Sequence, residues 1–173
     1  MNQYRPSQKI YHWLTAVLIL SLFALGVWMR TLGYYDAWYQ TAPHWHKQIG
    51  ILLLGLMIGR IIWRIALGAP DALSTHQKWE VKLAHLTHWA LYLGVFVILF
   101  SGYLIATADN RGIELLGLVT LPVLFTPFEQ QEDIAGFIHE WVAYLVMALV
   151  ALHAIGAIKH HVIDKDSTLK RML

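Results

Sequence analysis

The stretch from Phe137 to Val162, FIHEWVAYLVMALVALHAIGAIKHHV, constrains this chain more than any other. It is apolar for long enough to cross a bilayer as one helix, and it carries two histidines, His139 and His153. Fourteen residues of helix separate them, which is about 21 Å of rise with the rings only about 40° apart around the axis. One imidazole therefore lies toward each leaflet on a single stripe. Ligating and ionisable groups in a membrane helix are costly to bury, so they are expected to turn inward and act there. Two at different depths point to two metal centres. The plainer alternative, polar rings hydrogen-bonded across helices, suits a lone histidine better than a spaced pair with more histidines on other spans.

With 57% hydrophobic and 14% charged residues, a chain of this size lacks the polar side chains to cover a soluble domain. It reads as an all-α membrane protein: a four-transmembrane-helix bundle forming one domain over residues 1–173, with spans at about 10–30, 45–66, 83–108 and 137–161. Cysteine is absent, which excludes disulfides, thiolate and iron–sulfur sites and covalently attached haem. Any haem is held without a covalent bond. Histidine, at ten copies, is the abundant side chain suited to transition-metal ligation. The N-terminal MNQYRPSQKIYHW lacks a small-residue cleavage site behind a short apolar core, so the first span is expected to be retained.

The first span carries His12 at its start, with Pro6 and Ser7 where a helix would begin. The aromatic loop after it suits a membrane–water interface. The second span opens at His46 and closes near Arg60 and Arg64; Gly50, one turn after His46, leaves room for a flat macrocycle or serves ordinary close helix packing. The third holds His85 and His88 in its first turns. The connection from Asp109 to Gly136 mixes glycine and proline with apolar residues and is expected to hold at most a short interfacial helix.

Ten of the thirteen Lys and Arg residues fall on the side of the termini, and only Arg30, Lys47 and Arg111 on the other. Both termini are therefore expected to be cytoplasmic. Seven of the eleven acidic residues lie outside. Depth then sorts the histidines: His46 and His139 near the outer surface, and His12, His85, His88 and His153 near the inner one. An outer metal centre from His46 and His139 has little competition. At the inner centre His153 takes either His12 or His88, and spacing does not choose. YHWLTAVLI in the first span and THWALYLGV in the third are weakly similar, which would even allow His12 to pair with His88.

The fragments IYHWL, HKQIGILL, LAHLTHWALYL, WVAYLVMALVALHA and KHHVIDKDSTLKRM resemble the bacterial cytochrome b561 family over nearly the whole chain. The resemblance implies a multi-pass protein of the bacterial inner membrane that binds two b-type haems and exchanges electrons with membrane quinone. It implies His12 with His153 as axial ligands of the inner haem iron and His46 with His139 at the outer one. His85 and His88 would then lie near the inner haem or a quinone pocket.

Bis-histidine ligation leaves iron no open position, so the expected chemistry is electron relay between an outer-face redox partner and quinone. Arg60 and Arg64 are candidates to pair with haem propionates, or else anchor the cytoplasmic side by snorkelling. His160, seven residues beyond His153, is a candidate to exchange protons with quinone; its alternative is a headgroup contact beside Lys159. The partners implied are quinone, lipid and a periplasmic donor or acceptor protein, with no nucleic acid. Some members of the family oxidise superoxide, but an acidic outer face would repel that anion. A third reading is a cytochrome b anchor subunit of a larger dehydrogenase. Zinc hydrolysis or metal transport fits poorly, since there is no H-E-x-x-H helix and the span cores hold no carboxylate.

Overall fold

The structure, a computed structural model, describes residues 3–125 and 127–173. Four long helices account for most of it: α1 (Pro6–Met29), α2 (Thr41–Leu67), α3 (Lys78–Ala106) and α4 (Gln131–Val162). Each is long and apolar enough to cross a membrane. Only 6–17% of the most apolar window of each helix is buried within the protein, so large side chains such as Ile65, Leu93, Leu152 and Ile155 face outward. An exterior of that kind requires lipid around it.

Helix ends follow local chemistry. Pro6 occupies the first turn of α1, where its missing N–H costs nothing. The Arg5 N–H donates to Gln8 Oε1 at 3.1 Å, and at α3 the Gln77 N–H donates to Glu80 Oε2 at 2.9 Å. Beyond α2, the Gly68 N–H donates back to the Arg64 carbonyl at 2.9 Å.

α1 packs along α2 and α3 along α4, while the two hairpins meet more sparsely through α2 and α3. The successive spans run antiparallel, so both chain ends come to one end of the bundle. There Lys9 Nζ donates to the Leu173 carbonyl at 2.9 Å and Trp13 Nε1 to the Met172 carbonyl at 2.8 Å. A short 3-10 turn at Leu169–Arg171 lets the tail fold back under the helices. At the opposite end Arg30, just past α1, forms an ion pair with Glu140 of α4.

Where at most a short interfacial helix is expected, the described residues between α3 and α4 hold two strands instead. They form a hairpin of β1 (Ile113–Leu115) and β2 (Val119–Leu121), with Leu115 opposite Val119. Leu116 and Gly117 both have positive φ, 51° and 72°, the backbone of a tight turn whose twist matches the strands. Gln48 of α2 anchors the hairpin, donating to the Glu114 carbonyl at 2.7 Å and accepting from the Leu116 N–H at 2.9 Å. Hydrogen bonding to a neighbouring helix, absent from any local pattern, decides between helix and hairpin.

Leu22, Leu53, Met57, Val95 and Val146, drawn from all four helices, form one buried cluster at mid-height. In this layer α3 and α4 come closest at Gly94, where a Cβ would lie 2.5 Å from Val146 Cγ2. Val146 is only 1% exposed and stiff at χ1, so it cannot move aside. Gly94→Ala is expected to cost about 1–3 kcal/mol by overpacking. Thermal unfolding in detergent, followed by helical circular dichroism, should show the loss.

Candidate functional site

One spacing recurs on all four helices. His12 and Gly26 on α1, His46 and Arg60 on α2, His88 and Gly102 on α3, and His139 and His153 on α4 are each fourteen residues apart, about 21 Å of rise. The antiparallel order gathers His12, Arg60, His88 and His153 at the end carrying the termini. It gathers Gly26, His46, Gly102 and His139 at the other. The buried apolar layer lies between the two tiers. Val95 and Val146 each stand seven residues from both members of their helix's pair.

In the tier away from the termini, the rings of His46 and His139 have centres 6.0 Å apart and planes inclined by 69°. His139 Nδ1 lies 2.9 Å from the Ile98 carbonyl and 3.2 Å from Ser101 Oγ. A carbonyl only accepts, so Nδ1 carries the proton and Nε2 keeps its lone pair free for a metal. His46 Nδ1 is buried without a partner. The two helices that supply no imidazole here supply glycine. A Cβ on Gly26 would stand 3.3 Å from His46 Cε1, and one on Gly102 would stand 3.1 Å from His139 Cε1. At Gly50 no heavy atom comes within 4 Å of a Cβ position. That glycine is therefore no helix-packing contact; it leaves open volume one turn from His46.

In the tier near the termini, the ring centres of His12 and His153 are 6.3 Å apart with planes at 61°, and those of His88 and His153 are 5.2 Å apart at 64°. Arg60 turns inward. Its guanidinium donates to His12 Nδ1 at 2.8 Å and to Thr15 Oγ1, and lies 5.4 Å from the centre of the Tyr92 ring. Snorkelling to the interface does not describe it. With Nδ1 accepting, His12 carries its ring proton on Nε2, the opposite tautomer to His139.

Metal–imidazole bonds of about 2 Å on either side, plus roughly 1 Å from each nitrogen to its ring centre, place two axial imidazoles about 6 Å apart. His46 with His139 and His12 with His153 have that separation; His88 with His153 is closer. Both pairs bridge different helices, and glycine or open space adjoins the first. The residues fit two flat, doubly ligated groups such as haem.

The other residues singled out from sequence fall elsewhere. His85 is exposed on α3, one turn before His88. Arg64 is half-buried in the last turn of α2. His160 lies beneath the tail, its ring 4.6 Å from that of His76. Its Nδ1 is 2.7 Å from Asp164 Oδ2 and 3.3 Å from Asp166 Oδ2. Burial pushes the Asp166 carboxyl up, but hydrogen bonds from the Thr168 side chain and backbone and from His76 outweigh it and hold it below the usual carboxylate range. Residues the sequence reading passed over are Gly26, Gly102, Ser101, Thr15, Tyr92 and His76. The fourteen-residue spacing would have found the two glycines. Nothing local marks the others.

A cavity of about 250 Å³ opens beside the His46 tier, lined by His44, Lys47 and Gln48 of α2, by Asp109 and Arg111, and by the hairpin from Gly112 to Glu114. It brings Lys47 and Arg111 together. It also brings two carboxylates, Asp109 and Glu114, so its formal charge is balanced.

The family profile for prokaryotic cytochrome b561 matches residues 3–173. The chain belongs to the prokaryotic cytochrome b561 family. Cytochrome b561 homolog 2 of Escherichia coli (strain K12) is 45% identical over 172 residues, covering 99% of this chain and 92% of that protein. Cytochrome b561 homolog 1 of the same organism is 28% identical over 176 residues, covering 100% and 98%. A probable superoxide oxidase CybB of Yersinia pestis is also 28% identical over 176 residues, covering 99% and 96%. As a cytochrome b561 the chain is a multi-pass bacterial membrane protein of electron transfer that carries b-type haem. Non-covalent attachment agrees with its lack of cysteine.

Proposed function

We propose that the protein transfers electrons across the bacterial inner membrane through two b-type haems, between a periplasmic redox partner and membrane quinone. His12 with His153 holds one haem and His46 with His139 the other. Both termini are cytoplasmic, because ten of the thirteen basic residues lie at their end of the bundle. The observation that carries the reading is the pair of facing imidazoles at each end, with ring centres 6.3 and 6.0 Å apart and α4 contributing one ring to each.

Haem bound by two imidazoles exchanges single electrons without binding a ligand at iron. The protein's own groups position it. Ile98 and Ser101 orient His139 so that Nε2 faces the site. At the cytoplasmic tier His12 would hold haem through Nε2; its ring proton would then sit on Nδ1, which could no longer accept from Arg60, and a propionate would suit the freed guanidinium fork. His160, with two carboxylates against its ring, would pass protons to quinone at the cytoplasmic surface.

The test is the purified protein's reduced-minus-oxidised spectrum with a haem count. Two b-type haems per chain, reducible by a short-chain quinol, support the reading. One haem per chain, or two that quinol leaves oxidised, overturns it.

A second reading, superoxide oxidation at the periplasmic end, is favoured by one observation: Lys47, Arg111 and His44 line a cavity on the same turn of α2 as His46. Glu129, Glu132 and Asp133 lie outside that cavity, and within it Asp109 and Glu114 only balance Lys47 and Arg111, so the net-acidic total of this face does not describe the field there. If superoxide reaches the haem here, Lys47→Glu with Arg111→Glu lowers the second-order rate of haem reduction by superoxide roughly 10- to 100-fold at low salt, and less at high salt. Stopped-flow measurement at two ionic strengths checks it.

A further inference from the structure

Beneath the cytoplasmic tier a second group of ligating side chains comes together from three separate parts of the chain. His76 lies in the connection between α2 and α3, His160 in the last turn of α4 and Asp166 in the tail. Their side chains are 14%, 16% and 8% exposed, so this is no solvated surface patch. His76 Nε2 is 3.0 Å and His160 Nδ1 3.3 Å from the same oxygen, Asp166 Oδ2. All three ligating atoms lie within 4.8 Å of one another.

Hydrogen bonding leaves this arrangement incomplete. His160 Nδ1 is inaccessible to solvent and near two carboxylates, yet neither contact has hydrogen-bond geometry. An unsatisfied buried nitrogen costs about 1–3 kcal/mol. Were both rings protonated, two cations would face each other with ring centres 4.6 Å apart. A single divalent ion resolves both difficulties. It accepts the lone pairs of two neutral imidazoles and the charge of the carboxylate.

Distances agree with that chemistry. Ligands bonded at about 2 Å to a tetrahedral ion are about 3.3 Å from one another, close to the two nitrogen–oxygen separations here. Thr168 orients the carboxylate, its N–H donating to Asp166 Oδ1 at 2.8 Å and so leaving Oδ2 toward the imidazoles. Asp164 stands beside His160 but is shared with Lys159 Nζ at 2.7 Å, so water is the simplest fourth ligand.

We propose that His76 Nε2, His160 Nδ1 and Asp166 Oδ2 form a zinc site that fastens the C-terminal tail to the connection between α2 and α3. The site is independent of the haem ligands. One consequence does rest on the quinone reading: zinc bound to His160 would block its proton exchange and slow quinone reduction. Binding is measured without reference to that activity.

The experiment is equilibrium dialysis of the haem-loaded protein against zinc, with metal counted per chain, followed by zinc K-edge absorption. The expected result is one zinc per chain, with a first shell of nitrogen and oxygen at about 2.0 Å and the scattering of two imidazoles. His76→Ala and the isosteric Asp166→Asn each weaken binding by more than roughly 100-fold, since loss of an outer-sphere partner alone costs 10- to 100-fold. His44→Ala, at the other end, leaves it unchanged. Haem content equal to that of the unmodified protein certifies that each variant is folded. No zinc retained, or zinc held equally by His76→Ala and Asp166→Asn as an adventitious ion only, overturns the site.

Discussion

Alanine in place of His12 is expected to leave one haem per chain, while alanine in place of His88 leaves two. Both rings face His153, and both belong to a His-Trp pair in the first turns of a span. The difference lies in reach. His12 and His153 have the ring separation of two imidazoles on opposite faces of one flat group, 6.3 Å, whereas the 5.2 Å between His88 and His153 is too short for that opposed arrangement. Loss of an axial ligand exceeds the 10- to 100-fold affinity cost of losing a mere outer-sphere partner. The haem lost should be the cytoplasmic one. A haem count with a redox titration of each variant checks this, and a one-haem His88→Ala protein beside a two-haem His12→Ala protein would reverse the assignment.

The second large effect is expected at His139. His139→Ala removes one of the two rings proposed to hold the periplasmic haem, the ring that Ile98 and Ser101 orient. The remaining haem stays reducible by quinol from the cytoplasmic side. Electron passage to the periplasmic face stops, because the two tiers are about 21 Å apart along α4 with the apolar layer around Val146 between them. Proteoliposomes carrying a membrane-impermeant acceptor on the periplasmic side report the loss. Ser101→Ala serves as the graded comparison. It keeps the Ile98 contact, so a smaller drop in haem affinity of 10-fold or less is expected. Unimpaired passage in His139→Ala would show that this ring holds no haem on the route.

Much of the fold was legible before any coordinates. Four apolar stretches of bilayer length admit few solutions other than helices, since an unpaired backbone group in lipid is too costly. The two histidines of α4 announced two levels within the membrane, and His46 and His139 fell together by depth. The hairpin after α3 was not legible. Its strands are three residues each, and what stabilises them is Gln48, more than sixty residues away in the chain. The inward turn of Arg60 was equally hidden, because the same residue at the same depth snorkels when no buried acceptor is in reach. Thr15 and His12 provide one.

Composition and periodicity by themselves determined that the chain crosses a membrane four times and carries imidazoles at two depths, because bilayer thickness and helical pitch act on each span separately. Only the packing of four antiparallel helices brought both His12 and His88 to face His153, at 6.3 and 5.2 Å between ring centres. It also set glycines against His46 and His139, and drew His76 and Asp166 to His160. Such choices depend on separations of an ångström between segments far apart in sequence, and no local pattern encodes them.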